Sequence, residues 1–461
     1  MRKALFVTLA AIIMAIPPAT MAITGGGRVF GETNKQGVVE VFERFQGAFR
    51  YMKVDGKMQA WTDDGASRRA HISLMLGAPA KKVLVIGPGA GAAVDAAYFH
   101  GAESVDVVVK NPAVVKAAAF INENYGRAMK RPSTRINLDP AEKWLEKATG
   151  KYDAIFLWPA VYSPEEMAPT ITVAALQKAK ALLSPEGKVT LWIPLGAYKT
   201  EAVKKTLSDF STVFPEISLW LPELTPELGW AMVVGSTAPR KIDMAKAGEQ
   251  LRKIFSSYRI AEETNLFSLL SFYVTGHEGL AGALKEIKPG KTEATPDPNT
   301  KTPAGREPEI RSIDNYKFLA SLRSTVTSLT NSTPEEAKKL QDYFAARTKM
   351  IEGRLTRGTP EGGMEDKHYD EAIKLAPDDQ NLALLYQQLG KSFMLSNLPM
   401  KAVHFLEIAK KIAPKQAATY YYLAQSYEQM TRWEKASAEY EKLKELEPNY
   451  LQPLKDSVTI P

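Results

Sequence analysis

The stretch Lys81-Lys82-Val83-Leu84-Val85-Ile86-Gly87-Pro88-Gly89-Ala90-Gly91-Ala92-Ala93 governs how the rest of the chain is read. Four apolar, mostly β-branched residues run into a Gly-x-Gly-x-Gly turn, and alanine-rich sequence follows. That pattern is a buried parallel strand delivered through a tight loop to the N-terminus of a helix. Glycines let backbone approach a ligand closely, and a helix N-terminus offers unpaired N–H groups. The loop has the form of a nucleotide cradle. A close strand-to-helix turn with nothing bound has the same form, so the surrounding residues must decide between the two.

Working outward, apolar strand candidates recur at Val83–Ile86, Val105–Val109, Thr134–Leu138, Ala154–Trp158, Val189–Ile193, Ile217–Leu221 and Trp230–Val234. Helical patterns separate most of them, which predicts an α/β fold with a doubly wound, Rossmann-like sheet of seven strands. The last two strands are joined by a short Pro-rich connection and should pair antiparallel at one edge, a methyltransferase-like arrangement. Upstream, residues 23–78 alternate as a small N-terminal β domain, with Asp55-Gly56 as its hairpin turn. Residues 79–240 then form the sheet domain.

Residues 1–22 have the features of an export signal: Arg2 and Lys3, an apolar run from Ala4 to Ile16, a Pro17-Pro18 break and Thr20-Met21-Ala22. The competing reading is an uncleaved membrane anchor over residues 4–24, which carry no charge. Either reading places the body of the chain in the periplasm or cell envelope.

Residues 241–310 read as a helical segment and a Pro-rich linker, and 311–345 as capping helices. Over 346–461 a repeat emerges. Tyr386, Leu389, Gly390, Phe393, Ala402, Leu406, Ala409 and Pro414 recur 34 residues on as Tyr420, Leu423, Ala424, Tyr427, Ala436, Tyr440, Leu443 and Pro448. The period and its small-residue positions resemble the tetratricopeptide (TPR) repeat, which implies an all-α solenoid binding a protein or peptide on its concave face. The candidate protein-binding region is that around Tyr386, Phe393, Tyr420 and Tyr427.

Composition narrows the chemistry. The 461 residues contain no cysteine, which excludes disulfides, thiolate metal sites and cysteine nucleophiles. Five histidines are scattered without paired ligand spacing, so no metal site is expected. The net charge of +7 is spread along the chain, which argues against nucleic acid as a partner.

Residues 28–240 resemble spermidine synthases. The resemblance is carried by Asp55-Gly56-Lys57-Met58-Gln59, the helix with His71, the glycine loop, Asn111-Pro112, Tyr152-Asp153-Ala154-Ile155 and Leu182-Leu183-Ser184-Pro185-Glu186-Gly187-Lys188-Val189. It implies a cofactor site for decarboxylated S-adenosylmethionine, or S-adenosylmethionine, with Gly87, Gly89, Gly91 and Asp139 as its remnants. Gln59 and His71 are implied to be substrate-binding, and a homodimer through the sheet domain is implied as well. The family's working carboxylates are missing. The place of the glycine-loop aspartate is taken by Ala90, the ribose-binding position by Val109, and the adenine-facing position by Pro140 (Asp139 if the register slips by one). The position of the catalytic base is Trp158. Aminopropyl transfer needs an acceptor to deprotonate the attacking amine, and an indole only donates. The expectation is a pseudoenzyme that holds no cofactor and acts as a binding or scaffold protein. The alternative is an active aminopropyl- or methyltransferase with relocated acids, Glu165 and Glu166 being the nearby candidates.

Overall fold

The computed structural model describes residues 27–44, 49–62, 66–158, 167–224, 226, 229–239, 241–258, 265–285, 307–324, 329–356, 365–448 and 450. Residues 1–26, which include the candidate export signal, as well as Glu165, Glu166 and most of the Pro-rich linker, lie outside them. No helix among the described residues is long and apolar enough to cross a membrane. The chain divides into two compact units, one of Gly25–Asp243 with Phe272–Ser332, the other built from Met244–Ser271 and Thr333–Pro461.

The first unit opens with four antiparallel strands in sequence order, β1 (Arg28–Asn34), β2 (Gly37–Arg44), β3 (Phe49–Val54) and β4 (Lys57–Trp61). Asp55 and Gly56 both take positive φ, 50° and 76°, the geometry that a two-residue hairpin turn demands. Val39, Val41, Met52 and Ala60 are fully buried, as the alternation anticipates.

After α1 (Ala66–Met75) the chain builds β5 (Lys82–Ile86), α2 (Ala92–Phe99), β6 (Ser104–Val108), α3 (Pro112–Ile121), α4 (Glu123–Met129), β7 (Thr134–Asn137), α5 (Ala141–Lys147) and β8 (Tyr152–Leu157). Then come α6 (Val173–Ala181), β9 (Leu183–Pro194), α7 (Thr200–Val213), β10 (Glu216–Trp220) and β11 (Trp230–Ser236). The sheet is a mixed one of eight strands, in the order β12-β10-β11-β9-β8-β5-β6-β7, where β12 is Tyr273–Gly276. Strands β5 to β9 run parallel, and β11, β10 and β12 add antiparallel pairings. The arrangement is consistent with a methyltransferase-like fold.

The eighth strand corrects the expected seven. Phe272-Tyr273-Val274-Thr275 is a short aromatic and β-branched run inside leucine-rich helical sequence, and it pairs with β10, so the β10–β11 hairpin is not at the edge. The helical segment is also divided. α8 (Met244–Tyr258) and α9 (Leu266–Leu270) belong to the second unit, whereas α10 (His277–Ala283) and α11 (Glu307–Ser321) stay with the sheet. Residues 311–345 therefore do not form one set of capping helices. Asn315 on α11 donates to the carbonyls of Leu195 and Tyr198, each at 2.7 Å, and Ser312 accepts from the Gly229 N–H at 2.9 Å.

The second unit continues with α12 (Pro334–Thr356), α13 (Glu365–Leu375), α14 (Gln380–Leu395), α15 (Pro399–Ile412), α16 (Ala417–Gln429) and α17 (Trp433–Leu446). Thr333 and Glu336 cap α12 reciprocally: the Thr333 N–H donates to Glu336 Oε2, and the Glu336 N–H donates to Thr333 Oγ1. The 34-residue period becomes two helical hairpins, α14–α15 and α16–α17, with Leu389/Leu423, Ala402/Ala436 and Ala409/Leu443 buried in matching places. Gly390 is required in the first hairpin, because a Cβ there would collide with Leu406. Ser268 and Asn381 tie α9 to α14: Ser268 donates to Asp379 Oδ1 at 2.7 Å, and Asn381 donates to the Ser268 carbonyl at 2.6 Å.

Candidate functional site

Strand order places the candidate site. The chain leaves β5 toward β6 and β7 on one side, while β8 and β9 lie on the other. The carboxyl ends of β5 and β8 form the switch point where open α/β sheets bind ligands. Gly87 follows β5 there, and Trp158 follows β8.

All five residues of the loop Gly87–Gly91 are buried. Gly87, Gly89 and Gly91 take φ of +69°, +56° and +101°, values that favour glycine whether or not anything is bound. The Gly87 N–H donates to the Val108 carbonyl at 3.0 Å and the Gly91 N–H to the Pro88 carbonyl at 2.9 Å, so these donors are used within the fold. Side chains press on two of its glycines. A Cβ on Gly87 would collide with the edge of the Trp158 ring, and one on Gly91 would lie 3.1 Å from Met129 Cγ.

Trp158 is held from several directions. Its backbone N–H donates to the Ile86 carbonyl at 2.8 Å, continuing the β5–β8 pairing. Its indole N–H donates to Thr170 Oγ1 at 2.5 Å, and the Thr170 hydroxyl donates to the Met167 carbonyl at 2.8 Å. The residue sits at φ 54°, a left-handed conformation that costs about 1–2 kcal/mol for a bulky side chain. Packing and the indole hydrogen bond offset that strain.

The neighbouring strand ends are apolar or already engaged. Val109 is 7% exposed, and its N–H donates to the Asn137 carbonyl. Asn111 Oδ1 caps α3 through the Ala113 N–H and accepts from Asn34 Nδ2 at 2.8 Å. Asp139 follows β7 at the correct end of the sheet but is part-exposed and paired with Lys147 at 2.8 Å.

On the β9 side the wall contains a cation of the chain's own. Trp192 stands one residue beyond Leu191, which is level with Leu157, and faces the Arg69 guanidinium. Arg69 is 1% exposed, its Cζ 4.7 Å from the Trp192 ring and 4.9 Å from that of Trp230, and it pairs with Glu223.

His71, expected to be substrate-binding, lies away from the glycine loop. Its Nδ1 lies 3.0 Å from Nε2 of His100, the C-cap of α2, and so at the opposite end of that helix from the glycine loop. Burial lowers the His71 pKa to about 4; burial, repulsion from His71 and then from Lys188 take His100 lower still. The pair is a neutral packing element. Gln59 is buried within β4. Asp153 is structural: burial would raise its pKa, but the backbone N–H groups of Lys82 and Lys81 and the Ser184 hydroxyl hold it below the ordinary carboxylate range.

In the helical unit, Tyr386, Tyr420 and Tyr427 are 2%, 4% and 6% exposed. They are core residues, not contact residues, because the repeat positions that recur most clearly are those that pack hairpins together. Phe393 alone of the four lines an open groove of about 330 Å³, with Asp366, Met400, Lys401, His404 and Phe405. Sequence carried one unused signal for it. Lys401 and Lys435 lie 34 residues apart and stack over Phe393 and Tyr427, the ring positions of the same period. Nothing in the sequence marked Thr170 or Arg69.

No family model matches this chain, and no curated protein does. Among solved structures, it is similar to a spermidine synthase in complex with the transition-state analogue AdoDATO, with TM-score 0.42 and 20% identity over 49% of this chain and 78% of that one. It is similar to the spermidine synthase of Thermotoga maritima, with TM-score 0.41, 20% identity and the same coverage of 49% and 78%. A probable spermidine synthase from Corynebacterium glutamicum ATCC 13032 gives TM-score 0.37 and 15% identity over 49% and 86%.

Proposed function

We propose that this is an exported, non-catalytic relative of the spermidine synthases, in which the sheet unit is a support and the helical unit, a TPR array, binds protein. The observation that carries the reading is the Trp158 indole seated on Gly87. The residues at this switch point do not fit an adenosyl cofactor: the Trp158 ring occupies the place beside Gly87, Val109 offers no acceptor to ribose hydroxyls, and Trp158 offers no base. The two hairpins at a 34-residue period support the array, and stacked helical repeats present extended binding surfaces.

The test is to incubate the purified full-length chain with decarboxylated S-adenosylmethionine and putrescine, and separately to titrate S-adenosylmethionine in a thermal-shift assay. The expected result is no spermidine, no methylthioadenosine and no shift. Turnover of the first pair overturns the reading.

A further inference from the structure

The helical unit exposes both a groove and an anchor of matching chemistry. In the groove, Phe393 and Phe405 stack with centroids 5.3 Å apart and planes 7° apart, which gives a flat aromatic wall. Met400 is 74% exposed and forms a flexible lip. Asp366, on α13, and Lys401, on α15, line it beside the rings. Among the described residues neither makes an ion pair, the Lys401 ammonium resting 5.5 Å from the Phe393 ring centre.

The anchor is Trp433, the first residue of α17, which is 63% exposed. Its counterpart one period upstream is Pro399, so the hairpin closes without a large side chain at this place. The indole is not there for internal packing. Exposed Arg432 and Glu434 flank it, and neither side chain has an ion-pair partner among the described residues. The anchor carries one cation and one anion beside its ring, and the groove one anion and one cation beside its rings.

We propose that two copies of this chain associate by exchange of Trp433 into the partner's groove, with Arg432 facing Asp366 and Glu434 facing Lys401. The inference rests on reading the helical unit as protein-binding. A reciprocal exchange closes as a two-fold dimer. The indole is the anchor type that dominates interface energetics, and the flanking charges fix its direction.

Sedimentation velocity of the full-length chain across the micromolar range tests this. The expected result is a concentration-dependent dimer that Trp433→Ala weakens by at least about thirtyfold in dissociation constant, the threshold of an interface hot spot. Met400→Glu should weaken it as well. Asp366→Arg and Arg432→Asp should each weaken association, and their combination should recover it, a readout that a folding defect would not give. A monomer at every concentration overturns the proposal. So does a dimer indifferent to all four changes, as one formed through the sheet unit would be. Neither outcome touches the absence of turnover, and turnover in the enzyme assay leaves the association result standing.

Discussion

The glycine loop at Gly87–Gly91 and the groove beside Phe393 are two places where a ligand site can be sought, and they differ in what surrounds them. At the loop the backbone has the glycine-rich turn of a nucleotide cradle, yet Trp158 packs on Gly87, Met129 on Gly91, and the N–H groups of both glycines bond within the fold. At the groove no glycine-rich turn marks a ligand, yet aromatic rings stand open to solvent beside charges with no ion pair among the described residues. A backbone motif records where a fold is able to open. The side chains around it determine whether it does.

The largest effect expected from this contrast is at Gly87. Gly87→Ala places a methyl group into the Trp158 ring at φ +69° and should cost about 2–5 kcal/mol, from left-handed strain and overpacking together. Gly56→Ala is the control: φ is +76° but nothing lies within 4 Å, so only the strain of about 1–2 kcal/mol applies. Urea denaturation followed by tryptophan fluorescence measures both. Equal losses would mean that the ring is not seated on the loop. Adding Trp158→Ala to Gly87→Ala removes the collision and leaves the strain.

Next in size is an opposite response of the two units to acid. In the sheet unit the folded His71 has a pKa of about 4 against an ordinary 6.5. The unfolded chain takes the proton first, so this contribution is complete above pH 6.5 and is lost as pH falls toward 4, on the order of 3 kcal/mol. In the helical unit burial raises Asp379 to about 6 from 3.8, outweighing its bonds from Ser268 and the Asn381 N–H and the attraction of Arg347. There the folded state takes the proton first, so the contribution is complete below pH 3.8 and is lost as pH rises through 6, again about 3 kcal/mol. Denaturation at pH 7 and at 4.5 should show the sheet unit weaker and the helical unit stronger at the lower pH. Trp433 reports the helical unit and the other six tryptophans the sheet unit. Asp379→Asn should flatten the helical slope alone; a slope unchanged by it would locate the titrating group elsewhere.

These contrasts also separate what was legible in the sequence from what was not. Strand β5, the glycine turn, the Asp55-Gly56 hairpin and the 34-residue period were legible because each is a local pattern with a local cause. That Val109 and Trp158 offer no acceptor at their strand ends was legible as residue type. That Trp158 adopts positive φ and lies on Gly87 was not, because it depends on Thr170 and Ile86 arriving from elsewhere in the fold. β12 was hidden because four residues within helical sequence become a strand only when an edge is there to pair with. The place of His71 was not legible because its partner, His100, is set by how α1 and α2 pack. The buried tyrosines misled for a related reason: repetition marks what holds repeats together, while contact surfaces are free to differ from one hairpin to the next.

The smallest effect concerns Asp139, the carboxylate that keeps its place at the ligand end of the sheet. Its side chain is 41% exposed and its partner Lys147 is 63% exposed, so solvent screens the pair. It also precedes α5, where a negative charge is mildly favourable at a helix N-terminus. Both terms are weak, and Asp139→Asn should cost no more than about 0.5–1 kcal/mol. A carboxylate that still faced an adenine would behave differently, since its loss would leave the fold alone and abolish a thermal shift by adenosyl nucleotides. The measurement is the pair of readings, stability and ligand-induced shift, on the parent and on Asp139→Asn. A shift present in the parent and lost in the variant would show the loop end of the sheet to be open, and would reverse the contrast with the groove.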